Sequence, residues 1–446
     1  MKDLTTGKES KLILQFATPM LLGNIFQQLY NIVDSIVVGN FIGKEALAAV
    51  GASFPIIFTL ISLVIGFAMG ATIIIAQYFG SKQMQKVKLT IDTLYIVLFY
   101  ASVVTTIIGI ALAGPILRLI QLPEEIYPQA RLYLRIYLSG LIFFFGFNGT
   151  SAILRGLGDS KTPLYFLIIA TVANILLDLL FVVVYHWGIA GVAIATVISQ
   201  AGAFFTAIIY LNKTHPVMTF SLFKLKFDRE IFWKSVNIGL PSGLQQTFVS
   251  LGLLAITWIV NLFGVNVIAA YSIAMRIDSL ASLPAMNFSA ALSTFVGQNI
   301  GAQKIERVRA GMIATLKMTA IISIFFSIVA ILFSKFLMGL FTSDPDVITI
   351  GAKYLIIVSS FYVFFSTLFV FNGVTRGAGA TLIPMFITLF ALWVVRIPIA
   401  LVLSKSMGET GIWWSMPIGW FFGMVMGIAY YLSGRWKKKA IIRVAE

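Results

Sequence analysis

Residues 21–39 read LLGNIFQQLYNIVDSIVVG, an apolar helical run that carries a carboxylate, Asp34, where lipid would be expected. Asn24, Gln27, Asn31 and Asp34 follow one another at steps of three, four and three, so they share one helical face, and Tyr30 lies one turn before Asp34. A carboxylate inside a membrane segment costs about 2.5 to 3.5 kcal/mol on insertion scales, and it normally faces a bundle interior or a wet cavity, where it marks an ion or proton path. The stripe therefore predicts a cavity-lining face made by Asn24, Gln27 and Asn31 that ends on a coupling carboxylate. A buried structural polar patch is the competing reading.

The rest of the composition places this stretch in a membrane. Hydrophobic residues make up 59% of 446 positions and charged residues 11%, and the mean hydropathy is +0.95, well outside the range of a soluble globular domain. The absence of Cys excludes structural disulfides and thiolate chemistry. The two His have no metal-site spacing, and there is no nucleotide-binding loop or nucleophile–base set, so neither an enzyme nor a bound cofactor is expected. The opening MKDLTTGKESK runs into the first apolar segment without a small-residue cleavage site, and no removable signal peptide is expected.

Roughly 20 apolar residues span a bilayer core. Twelve such stretches are marked, near residues 12–38, 46–78, 90–113, 132–154, 163–186, 188–211, 234–262, 266–298, 311–333, 351–375, 382–404 and 409–433. With the N-terminus inside, 22 of the 32 Lys and Arg fall on the inner side, against 7 on the outer side and 3 within spans. The positive-inside rule then puts both termini in the cytoplasm of a prokaryotic plasma (inner) membrane. The net charge of +15 is on this reading a topology signal with attraction to anionic membrane lipid, not a sign of nucleic acid.

An internal duplication organises the spans. In one constant register, FIGKEALAAV (41–50) matches LFGVNVIAAY (262–271), AQYFG (76–80) matches GQNIG (297–301), and RGLG (155–158) with Pro163 matches RGAG (376–379) with Pro384. Each unit holds six spans, an even number, so both halves enter the membrane in the same sense as parallel repeats. The expected architecture is an all-α polytopic membrane protein of twelve transmembrane helices, in two parallel six-helix repeats around a central cleft. Its parts are an N-terminal lobe (1–211), a basic cytoplasmic linker (212–233) and a C-terminal lobe (234–446).

The fifth span adds Asn174 and Asp178 on one face. Two carboxylates with an amide oxygen and a hydroxyl are the hard-oxygen donors an alkali cation such as Na+ prefers. Alternatively, two nearby carboxylates raise each other's proton affinity and share H+. Either way Asp34 and Asp178 form a candidate coupling site, provided the first and fifth spans touch. In the register of the repeat Asp34 maps to Ala255 and Asp178 to Ile399, so the second half has no copy of the pair. It carries instead Gln245 and Gln246 as candidate cavity-lining residues, and Arg276, Asp278 and Arg396 as a candidate second-lobe network. Residues two apart do not share a helix face, so Asp278 is expected to pair with Arg396 sooner than with Arg276.

These motifs together resemble the multidrug and toxic compound extrusion (MATE) family of transporters, over nearly the whole chain. The resemblance is carried by PMLLGNIFQQLYNIVDSIVVG, ALAAVGAS, AQYFGSK, LRGLGDSKTP, NILLD, GIAGVAIATVISQ and FVGQNIGAQK. It implies twelve spans in two lobes, alternating access, and export of small organic cations or lipophilic compounds in exchange for H+ or Na+, by a monomer. In the DinF-like branch the first-lobe cation site would fall on Asp34, Asn174, Asp178 and Thr196, with Tyr30 beside it. Thr196 enters through the resemblance alone. The other prokaryotic branch looks to acidic residues in the seventh and tenth spans, and here those spans contain none. The alternative within the superfamily is a lipid-linked precursor flippase, which needs a cationic cavity for pyrophosphate where this first lobe is acidic.

Overall fold

A computed structural model of the chain describes residues 2–214 and 224–442. Among these residues the secondary structure is helical throughout, with no strand. The first repeat runs through α1 (Glu9–Phe41), α2 (Lys44–Gly80), α3 (Met84–Leu119), α4 (Tyr127–Ser139), α5 (Leu141–Gly156), α6 (Lys161–Asp178, continued by a π-helical turn Leu179–Val184) and α7 (Gly188–Thr214). The second runs through α8 (Arg229–Asn261), α9 (Val265–Gly301), α10 (Ile305–Leu332), the short α11 (Ser334–Gly339), α12 (Pro345–Ser359), α13 (Tyr362–Gly377), α14 (Leu382–Leu389), a π-helical segment Phe390–Arg396, α15 (Ile397–Met407) and α16 (Glu409–Leu432). Most of the expected linker, 215–223, lies outside the described residues; its flanks extend α7 and begin α8.

Among the described residues nine helices, counting the broken fifth and eleventh spans as continuous, are long and apolar enough to cross a bilayer, and two more crossings are bent pairs. The twelfth is α1. Its 33 residues suffice in length, at a helical rise of about 1.5 Å per residue, but the polar stripe lowers its hydropathy.

The duplication is written into the backbone. Positive φ recurs at Gly43 and Gly264, at Lys82 and Gln303, and at Gly158 and Gly379, each pair in the register of the sequence repeat. Lys82 and Gln303 are not glycine, so both repeats hold the same left-handed turn, a conformation most side chains avoid.

The fourth and tenth spans, read as single runs at 132–154 and 351–375, are each broken. α4 and α5 meet at 50° around Gly140, and α12 and α13 meet at 49° beyond Ser359. A break at membrane depth frees carbonyls that lipid cannot satisfy. The Thr106 hydroxyl on α3 donates to Leu138 O at 2.8 Å, and the Ser327 hydroxyl on α10 donates to Ser359 O at 2.5 Å. Donor matches donor and acceptor matches acceptor in the same register, so both repeats mend the same break with the same bond. Gly140 also admits α7, since a Cβ there would lie 2.4 Å from Val197 Cγ2.

By internal contacts the chain forms two compact units, one of Pro19–Gly243 with the first two residues, the other of Asp3–Thr18 with Leu244–Glu446. The segment before α1 is pinned within the second unit. Gln298 Oε1 accepts from Leu4 N at 3.0 Å, Asn299 Nδ2 donates to Leu4 O at 3.2 Å, and Lys304 Nζ donates to Thr5 O at 2.9 Å. Arg307 donates to Gly7 O at 2.8 Å and to Asn299 Oδ1 at 3.1 Å, and pairs with Glu9 at 2.7 Å. Gln298, Asn299 and Lys304 belong to the FVGQNIGAQK motif, which accounts for its run of polar residues.

Removing either mending hydroxyl leaves a buried carbonyl unpaired, at about 1 to 3 kcal/mol. Thr106→Val and Ser327→Ala are each expected to lower resistance to unfolding in a detergent titration by that amount. The two effects should add, because the sites lie in different units.

Candidate functional site

The carboxyls of Asp34 on α1 and Asp178 at the last residue of α6 meet within hydrogen-bonding reach. Asp34 is 9% exposed and Asp178 fully buried. Each leaves its Oδ1 without a hydrogen-bond partner. Asp178 sits where α6 passes into the π-helical turn Leu179–Val184. An extra residue in a helical turn re-aims a side chain, and such turns cluster at functional sites.

Around the pair stand an amide and several hydroxyls. With its amide turned so that the nitrogen faces the carboxylate, Asn174 donates to Asp178 Oδ2 at 2.9 Å and its oxygen accepts from Thr196 N at 3.3 Å. The Thr196 hydroxyl on α7 donates to Val192 O at 3.0 Å. Its hydrogen is thereby used, so in the 3.3 Å contact with Tyr30 the phenol is the donor. Asn174 and Thr196 are buried.

Two residues of this site escape a reading of the sequence. Tyr133 and Tyr137 of α4, their ring centroids 6.1 Å apart, lie within electrostatic reach of Asp34. Their i, i+4 spacing in RLYLRIYLSG puts them on one face, a signal present in the sequence. The break at Gly140, which ends α4 just beyond them, leaves no trace in the hydropathy of the span. The rest of the stripe differs from its end: Asn24 and Asn31 are exposed and Gln27 is half-buried, while Asp34 is buried.

In the second unit Gln246 is exposed, whereas Gln245 is 6% exposed with its amide fully engaged. Its oxygen accepts from Arg376 Nη2 at 2.6 Å, and its nitrogen donates to Thr388 Oγ1 at 2.6 Å and Pro384 O at 3.3 Å. That amide ties α8 to α13 and α14. Arg276 is exposed, and Asp278 faces Tyr362 and Arg396.

Comparison with known proteins places this arrangement. The MatE family model matches the chain twice, at residues 19–180 and 241–402, once in each repeat. The chain is 35% identical to the probable multidrug resistance protein YpnP of Bacillus subtilis, over 98% of this chain and 97% of that protein. It is 24% identical to the FAD transporter of Shewanella oneidensis, over 98% of this chain and 97% of that one. Among solved structures, the crystal structure of MATE in the bent conformation superposes with a TM-score of 0.90 at 26% identity, covering 97% of this chain and 96% of that one.

Asn174→Leu removes the donor to Asp178 Oδ2 inside a buried site. The expected result is a loss of about 1 to 3 kcal/mol of stability, measured by detergent-induced unfolding. Asn174→Gln should recover only part of it, since a longer side chain misplaces the amide.

Proposed function

The chain belongs to the MatE family of membrane transporters, which are not enzymes, and from that premise we propose that it is a proton-coupled multidrug antiporter exporting organic cations or lipophilic compounds. The observation that carries this reading is the contact between Asp34 and Asp178. Two bare carboxylates at that distance in a low-dielectric site repel strongly, so the pair calls for a positive ion, and a shared proton is the smallest one that fits between them.

The surrounding donors favour H+ over Na+. A sodium ion needs several oxygens aimed at one point, as hard cations do. With the Asn174 amide turned to donate to Asp178, its oxygen is bonded to Thr196 N, and the Thr196 oxygen accepts from Tyr30. In that arrangement Asp34 Oδ1 and Asp178 Oδ1 are the buried oxygens of the pair without a partner, which suits a proton.

On this reading a proton entering from outside neutralises the pair, and its release inside restores the negative charge. Coupling requires that the inward- and outward-open states bind the proton with different affinity, so that the gradient biases the equilibrium between them. The carboxylates and phenols of the first unit suit a cationic or lipophilic substrate. The protein would work as a monomer in the plasma membrane of a prokaryote, both termini cytoplasmic, with lobes at 1–211 and 234–446 joined by the linker 212–233.

Proteoliposomes under separately imposed pH and sodium gradients test this. Efflux of a cationic dye should follow the pH gradient and ignore sodium, and Asp34→Asn and Asp178→Asn should each abolish the gradient-driven component while dye binding persists. Efflux undiminished in Asp34→Asn, or driven by sodium alone, would overturn the reading. Because a relative is named as an FAD transporter, an anionic flavin is the second cargo; its export in place of the dye would overturn the cationic substrate class.

A further inference from the structure

The second unit contains a buried ionisable cluster for which antiport through Asp34 and Asp178 has no use. Asp278 on α9 is 8% exposed, and Arg396, closing the π-helical segment Phe390–Arg396, is 7% exposed. Tyr362, the first residue of α13 past the break, turns its hydroxyl toward the Asp278 carboxyl. Arg396 acts on Asp278 at longer range without forming an ion pair, and its guanidinium also meets Tyr271. Tyr354 on α12 completes the ionisable groups around Asp278 from the packed helices. The Tyr354 hydroxyl is engaged with the sulfurs of Met275 and Met416, at 3.3 and 3.2 Å.

Three polar atoms of this cluster lack a hydrogen-bond partner: Asp278 Oδ1, and Arg396 Nε and Nη2. Each such buried group costs about 1 to 3 kcal/mol, so three in one cluster call for a role. Their arrangement suggests one. Nε and Nη2 form a single edge of the guanidinium, the edge that receives a carboxylate through two parallel bonds. The Asp278 carboxyl is thus flanked by the Tyr362 hydroxyl and by a guanidinium whose Nε/Nη2 edge has no other partner. Tyr362 adjoins the break in the tenth span, and Arg396 the π-helical segment of the eleventh, so both partners sit where the helical backbone is interrupted.

We propose that Asp278 is a second proton-binding site, its carboxyl taking up and releasing a proton between the Tyr362 hydroxyl and the Arg396 guanidinium. In the release step the carboxyl O–H bond breaks, the electron pair stays on the carboxylate, and the proton leaves to water as hydronium. Proton binding here is independent of the first-lobe site; only its use in transport rests on the antiport reading.

The test is infrared difference spectroscopy of the full-length protein in lipid vesicles across a pH series, with deuterium exchange identifying protonated carboxyls. In an Asp34→Asn/Asp178→Asn background, one titrating protonated-carboxyl band should remain, and Asp278→Asn should abolish it. Arg396→Gln should carry the band to higher pH by about 1 to 3 units, because the charge that favours the carboxylate is gone. Arg396→Lys should restore most of the original midpoint. No remaining band, or a band that survives Asp278→Asn, would overturn the proposal. Should the combined variants fail to fold, Tyr362→Phe in the otherwise unaltered chain decides: a displaced midpoint for the Asp278 band supports the site, and an unmoved one overturns it. Efflux by Asp34→Asn, which judges the first-lobe reading, does not enter this measurement.

Discussion

Two acidic side chains held against each other and away from water impose a condition on the first unit: they cannot both be charged without a cation between them. Burial makes the condition strict, because solvent no longer screens the repulsion. The neighbouring groups keep that tension from being relieved locally. Asn174 gives the pair a single amide hydrogen bond, and Thr196 and Tyr30 are occupied with each other. An external positive ion is then the simplest relief, as the proposed antiport requires.

The scaffold that holds this site is a membrane helix bundle whose irregularities are satisfied one by one. The broken fourth and tenth spans would expose free carbonyls, and each repeat answers with a hydroxyl from the preceding crossing, Thr106 or Ser327. The break is useful because it ends α4 just after Tyr133 and Tyr137, the phenols within electrostatic reach of Asp34. In the second repeat it sets Tyr362 against Asp278. The same bend serves two different chemistries.

That contrast describes the molecule's evolution in physical terms. Backbone features persist in the register of the repeat, including left-handed turns at Lys82 and Gln303 that few side chains tolerate. Tyr133 and Tyr354 occupy equivalent positions, each near its own unit's carboxylate. The charges themselves have diverged: the first repeat places two carboxyls in contact, and the second sets one carboxyl opposite a guanidinium. A shared frame with unlike ionisable groups lets two halves of one bundle hold charge in different ways.

Sequence alone determined the class, the crossings and the duplication, because hydropathy, charge asymmetry and repeated Gly/Pro blocks are properties of the linear chain. It also singled out Asp34, Asn174 and Asp178, since a carboxylate in an apolar run is conspicuous wherever it folds, and it favoured Arg396 over Arg276 as the group facing Asp278 by helical phase. Tertiary structure decided that Asp34 and Asp178, far apart along the chain, meet, with Asn174 against Asp178 and with Tyr133 and Tyr137 within electrostatic reach of the pair. It also placed the breaks at Gly140 and beyond Ser359, which hydropathy passes over because apolar residues continue through them. Distance between helices, the rotation of an amide and the bend of a backbone depend on packing against other segments, and no local pattern records them.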